Sequence, residues 1–210
     1  GETTFLVEDF VPQRIAVDVS TDAERVARGG AIPVAVDARF LYGAPGADLR
    51  VEGSVVVRPP DEGLADHPGY RFGLADDPVT PVRRTLLDTP RTGADGTARL
   101  DAPLPALPQT TRPLEAVVTI GVAEPGGRVV EGEVAVPVAG EGPLVGVRPA
   151  FSGGRVAEGG TAAFDVIALG ADRARRTLDG LAWRLVEVNR TFQAYRVDGR
   201  WRYEPVESTA

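Results

Sequence analysis

The chain has 210 residues, 43% of them hydrophobic, with a net charge of −7. That length suits one large domain or two small ones, with enough apolar residues for a real core. The acidic balance argues against a nucleic-acid partner, cysteine is absent, and no run of about 20 apolar residues exists to cross a membrane as a helix.

The chain opens at Gly1 without a charged leader and apolar core, so we expect a piece of a longer protein. All basic residues are arginine and methionine is missing, a composition that fits a GC-rich genome. The first period-two segment is Arg14–Ser20, followed more loosely by Ile32–Phe40. Between them, Asp22–Arg28 is too short for a stable helix and reads as a loop ended by Gly29-Gly30. Next comes Phe40-Leu-Tyr-Gly-Ala-Pro-Gly46. It reads as a corner where one strand leaves its sheet and returns as the next, Leu49–Val57, with Phe40 and Tyr42 bracing it.

Residues 58–96 form a long, proline-rich excursion with short strands expected at Tyr70–Leu74 and Val82–Leu87. Such a connection either carries an interface or only crosses from one sheet of a sandwich to the other, and crossing is the favoured reading. Thr97–Leu104, Leu114–Val122 and Arg128–Val138 complete a first set of strands, the last two joined by the glycine turn of a hairpin. Strands at this spacing, separated by turns, predict an all-β antiparallel sandwich.

The motif Arg25-Val-Ala-Arg-Gly-Gly returns 130 positions later as Arg155-Val-Ala-Glu-Gly-Gly, so we expect a repeat of roughly that length. In the second copy, strands are expected at Leu144–Val147, Ala162–Leu169, Leu181–Val188, Thr191–Val197 and Arg200–Val206. Leu181–Val188 would answer Leu49–Val57, and Asp198-Gly199 would make a type I′ turn. Nothing in the second copy matches Leu114–Val138, so it is expected to be truncated.

Chemical signals are sparse. His67 is the only histidine. A Ser-His-Asp hydrolase would have to use it with Ser54 or Ser152, but no nucleophile elbow is present, and a loop histidine is the better reading. Asp61-Glu62 and Asp76-Asp77 lack the spacing of a calcium loop, and Asp95 sits in a plain turn. Gly153-Gly154 and Gly159-Gly160 precede no helix that could bind phosphate. Asn189-Arg-Thr191 matches a glycosylation sequon. Trp183, Tyr195, Trp201 and Tyr203 are expected to fill a core or pair across strands, the rival being a sugar-stacking face of an adhesin or carbohydrate-binding module. The residues therefore indicate no enzyme, catalytic site, metal or cofactor, but a structural or binding module.

Several segments in collinear order resemble bacterial alpha-2-macroglobulins. They are Phe5–Val17, Phe40–Leu49, Gly69–Leu74, Ala94–Leu100, Val147–Phe151, Phe164–Ala168 and Asp198–Val206. The resemblance implies tandem macroglobulin-like sandwiches. Residues 1–11 would end a preceding domain or linker, 12–139 would form one sandwich, and 140–210 would begin the domain associated with the bait region. It also implies a periplasmic protease inhibitor, anchored to the inner membrane as a lipoprotein, that traps proteases after bait cleavage. Partners would be other macroglobulin-like domains of the parent chain and, through the whole protein, target proteases. The family's Cys-x-Glu-Gln thioester has no counterpart in a chain without cysteine.

Overall fold

The computed structural model describes residues 13–74, 76–183, 186–197 and 200–209. The fold is all-β and antiparallel, with one 3-10 turn at Ser152–Gly154 among the described residues. Two compact units divide the chain, Gly1–Arg176 and Thr177–Ala210. The aromatic stretch Phe5–Val11 and the turn Asp198-Gly199 lie outside the described residues.

In the first unit, β1 (Ile15–Ser20), β2 (Ala31–Phe40) and β6 (Thr97–Pro103) make one sheet in the order β1-β2-β6. The other sheet runs β5 (Val82–Leu86), β3 (Arg50–Arg58), β7 (Glu115–Ala123), β8 (Val129–Pro137). β2 shows how sequence becomes layer. Its alternate residues Ile32, Val34, Val36 and Ala38 are buried, because successive side chains of a strand point to opposite faces. They meet Val51, Val55 and Val57 of β3 and Val118, Ile120 and Val122 of β7 in one core. Burying this apolar area is the main stabilising term, at about 25 cal/mol per Å2. At one side the two sheets approach closely, since a Cβ on Gly132 of β8 would lie 2.7 Å from Val19 Cγ2 of β1.

The corner at residues 40–46 does carry the chain from the first sheet into the second. Gly46 N donates to Ala38 O (2.8 Å), and a Cβ there would lie 2.9 Å from that oxygen, so only glycine fits. Phe40 and Tyr42 stack at 5.2 Å, yet Tyr42 is 78% exposed. Tyr42 braces the corner by stacking on Phe40, which is itself partly buried against the sandwich core.

The excursion, residues 58–96, leads from β3 in one sheet to β6 in the other, as the favoured reading expected. Before crossing it makes a detour, because β5 inside it pairs back onto β3. It leaves the sandwich, contributes β4 (Arg71–Phe72) to another sheet, and comes back. That other sheet, in the order β10-β9-β4, holds β9 (Leu144–Pro149) and β10 (Phe164–Leu169), and it belongs to the same compact unit.

In the second unit, β11 (Val188–Val197) pairs with β12 (Arg200–Thr209) in a long hairpin. The expected strand Leu181–Val188 is not formed at 181–183 or 186–187, and Val188 opens β11 instead. The proposed match to Leu49–Val57 therefore fails. That segment of the first copy is held by strands on both sides, β5 and β7, and Leu181–Trp183 pairs with no strand among the described residues. Trp201 and Tyr203 are 62% and 70% exposed within their hairpin, opposite Arg196 and Ala194, so they do not fill a core there. A two-stranded hairpin has no second layer of its own to cover either face.

Candidate functional site

The feature that stands out is a joint built from the excursion and the β9–β10 pair. Arg71 and Phe72 pair with Val147 and Gly146, adding a short third strand to that sheet. Leu64, Tyr70 and Phe72 from the excursion and Leu169 from β10 are all nearly fully buried, with Leu144 and Ile167 packed against them. This second core is separate from the sandwich core.

Local sequence explains the shape. Gly69 (φ +80°) and Gly73 (φ +82°) bracket the docked residues in backbone conformations that favour glycine. His67 N donates to Leu64 O (2.9 Å), closing a turn that sets Tyr70 and Phe72 over the sheet. Across from them, Gly146 has no side chain because the Phe72 ring occupies that space. A Cβ there would lie 2.4 Å from Phe72 Cε1. The Arg148 guanidinium sits 4.6 Å from the centre of the Tyr70 ring and donates to Asp165 (2.7 Å), so a cation–π contact and an ion pair share one side chain. The aspartate raises the arginine's pKa.

The residues singled out from sequence fall into place around this joint or far from it. His67 is half-buried, its Nε2 lies 3.1 Å from Arg173 O, and its ring meets Phe72 edge-on. Ser54 is buried in β3, Ser152 is in the 3-10 turn, and no hydrogen bond joins either to His67 among the described residues. The histidine is a structural tie between the excursion and the turn after β10. Asp61 pairs with Arg58, which also reaches Glu115 (3.3 Å). Partial burial raises the Glu115 pKa, and Arg58 opposes that rise. Asp77 accepts from Thr111 N (2.7 Å) and from the hydroxyls of Thr110 and Thr111 (2.8 Å each), and these bonds lower its pKa. Asp76 is exposed. Asp95 accepts from Thr97 N (3.0 Å) in a tight turn. Among the described residues, no three His, Asp or Glu side chains converge in a way that could hold a metal. Gly153-Gly154 lies in the 3-10 turn and Gly159-Gly160 in a loop turn. Asn189 is exposed on β11, and Tyr195 donates to Glu204 across the hairpin.

Reading the sequence missed Glu124, Arg25, Gly146 and Arg148. Glu124 is 6% exposed at the end of β7, and its Oε1 accepts from Arg14 N (2.8 Å) and Ile15 N (3.3 Å), tying the start of β1 to the β7–β8 turn. Arg25 donates to the carbonyls of Ala171 and Asp172 (3.1 and 3.0 Å). Only Gly146 carried a signal, since an isolated glycine inside a strand marks a close approach of other atoms.

Residues 13–139 match the family described as Bacterial Alpha-2-macroglobulin MG5 domain, and residues 146–210 match Bacterial macroglobulin domain 6. The chain belongs to the bacterial alpha-2-macroglobulin family. It is 33% identical over 200 residues, 94% of its length, to the alpha-2-macroglobulin of Xylella fastidiosa, and 27% identical over 202 residues to that of Escherichia coli K12. It spans 12% of the length of each of these relatives. Among solved structures, Escherichia coli alpha-2-macroglobulin activated by porcine elastase aligns with TM-score 0.69 and 26% identity, over 98% of this chain and 18% of that one. A point mutant of Salmonella alpha-2-macroglobulin aligns with TM-score 0.71 and 22% identity over 97% of this chain and 14% of that one, a likeness of fold. The joint thus links residues matched to one macroglobulin domain with residues matched to the next, since β4 lies in the first match and its partners Gly146 and Val147, with β10, in the second.

Proposed function

We propose that this chain is a non-catalytic scaffold segment of a bacterial alpha-2-macroglobulin that inhibits proteases by trapping them after its bait is cut. In this reading its job is mechanical: it holds two macroglobulin domains in a fixed relation while bait and thioester lie elsewhere in the parent chain. The observation that carries the reading is the docked excursion. A loop that leaves one domain, buries Leu64, Tyr70 and Phe72 against the next and returns is a brace. We assign the parent to the periplasm, tethered to the inner membrane as a lipoprotein.

The test is incubation of the 210-residue chain with a broad-specificity protease. Scaffold behaviour predicts no lasting inhibition and no covalent adduct by mass spectrometry. A stable adduct, or stoichiometric inhibition, would overturn the assignment. Location is tested separately by fractionating cells that express the parent, where a cytoplasmic parent would refute the periplasmic assignment. The exposed aromatics of the β11–β12 hairpin are the one observation that favours the adhesin alternative, and binding of the chain to a glycan array would support it.

A further inference from the structure

Beside the joint, still within the first compact unit, a cleft of about 510 Å3 opens between the loops of the sandwich and the turn after β10. Two runs of chain wall it, 109–114 and 138–144. Its charged side chains are Arg28, Arg112, Arg173 and Glu141. Three guanidinium groups and one carboxylate make the cleft locally positive in a chain of net charge −7.

The arginines are not equivalent. Arg28 is satisfied by Glu141 at 2.8 Å. Arg112 and Arg173 make no ion pair and no side-chain hydrogen bond among the described residues, although Asp77 lies near the first and Asp66 and Glu115 near the second. Arg173 is half-buried, and burial, followed by the neighbouring Arg25, works against its charge. Its backbone has φ +61°, a left-handed conformation that is costly for a residue with a side chain. That turn is nevertheless fixed. Arg173 N donates to Gly170 O (2.9 Å), Arg25 binds the carbonyls of Ala171 and Asp172, and His67 Nε2 meets Arg173 O. Three separate ties thus fix the turn that presents the Arg173 guanidinium at the cleft wall, where its donors have no hydrogen-bond partner among the described residues.

We propose that this cleft binds a carboxylate carried on an extended acidic peptide, with Arg112 and Arg173 as its paired donors. A guanidinium offers a planar fork of donors that matches a carboxylate, and such charge-assisted bonds are the strong ones. The Arg28–Glu141 pair already shows a carboxylate accommodated at this wall. A peptide is favoured over a free ion because the cleft is far larger than one oxyanion and falls in the size range of built ligand sites.

The experiment uses the full 210-residue chain and a fluorescent oligoglutamate peptide, read by anisotropy at low salt, with oligoglutamine as the neutral control and inorganic phosphate as competitor. We expect oligoglutamate to bind and oligoglutamine to bind at least about tenfold more weakly, with Arg112→Gln and Arg173→Gln each weakening the acidic peptide about tenfold. Arg155→Gln, on an exposed loop that does not line the cleft, leaves binding unchanged. Circular dichroism confirms that each variant is folded, and Arg112→Gln carries the test if Arg173→Gln loosens its turn. The proposal is overturned if the neutral peptide binds equally, if Arg112→Gln changes nothing, or if oligoglutamate does not bind. Phosphate displacing the peptide at equal concentration would assign a free-anion site instead and overturn the peptide.

Discussion

Two turns in this molecule share five of six residues and differ in their surroundings. Arg25–Gly30 and Arg155–Gly160 fold alike: Gly29 and Gly159 both have φ +73°, Gly30 N donates to Ala27 O at 3.0 Å, and Gly160 N to Ala157 O at 2.9 Å. Yet Val26 is 3% exposed and Val156 is 37% exposed. The difference comes from β8. Val26 N donates to Pro137 O and Ala139 N to Val26 O, so the end of β8 and the residues after it cover the first turn. No such strand covers the second among the described residues. A short motif decides its own backbone, and a distant strand decides whether the same side chain is core.

The sharpest way to break this comparison is to put a charge at the two valines. Val26→Asp places an unpaired carboxylate in the sandwich core and is expected to cost about 4 kcal/mol or more in urea denaturation. Val156→Asp is expected to stay within about 0.5 kcal/mol of the parent chain. Equal losses would refute the contrast. The joint comes next. Phe72→Ala is expected to cost about 3 kcal/mol of local stability, because it empties the second core and removes the ring that fills the space at Gly146. Hydrogen exchange should accelerate in β9 and β10 and stay slow in β3 and β7. A uniform change across all four would mean that the joint is not a unit of its own. Gly146→Val should produce the same pattern from the other side, by evicting the Phe72 ring.

A smaller effect sharpens the likeness of the two turns. Gly29→Ala and Gly159→Ala each force alanine into a left-handed conformation and are each expected to cost about 1 kcal/mol. The first should appear in the global melting curve, the second only in exchange rates near residue 160. The smallest effect is a pH dependence at Asp77. Its pKa in the folded chain lies below its unfolded value, so the stabilisation is present above the ordinary aspartate range, near pH 3.9, and is lost as pH falls through the lower folded pKa. Amides of residues 110–112 should therefore loosen in acid, and Asp77→Asn should abolish that dependence.

Much of the fold was legible in period-two segments. Val34-Ala-Val-Asp-Ala and Val118-Thr-Ile-Gly-Val announce strands by alternation, and the glycines of Gly43–Gly46 and Gly126-Gly127 announce their turns. Leu181–Val188 was misread because its apolar content resembles a strand, while a strand also needs a neighbour to receive its hydrogen bonds. The joint was only half legible. Tyr70–Leu74 reads as a short strand, but nothing in it names Gly146 as its partner.

From the sequence alone come the β class, the near-duplicate turns, the family resemblance and the lack of thiol chemistry, because each depends on residues close together or on simple counts. The tertiary structure alone decided which strand the excursion joins, which valine is buried, and that Arg25 and His67 fix the turn that carries Arg173. Those are pairings between segments as far as 147 residues apart, and alternation along a strand says which side faces inward without saying what it will face.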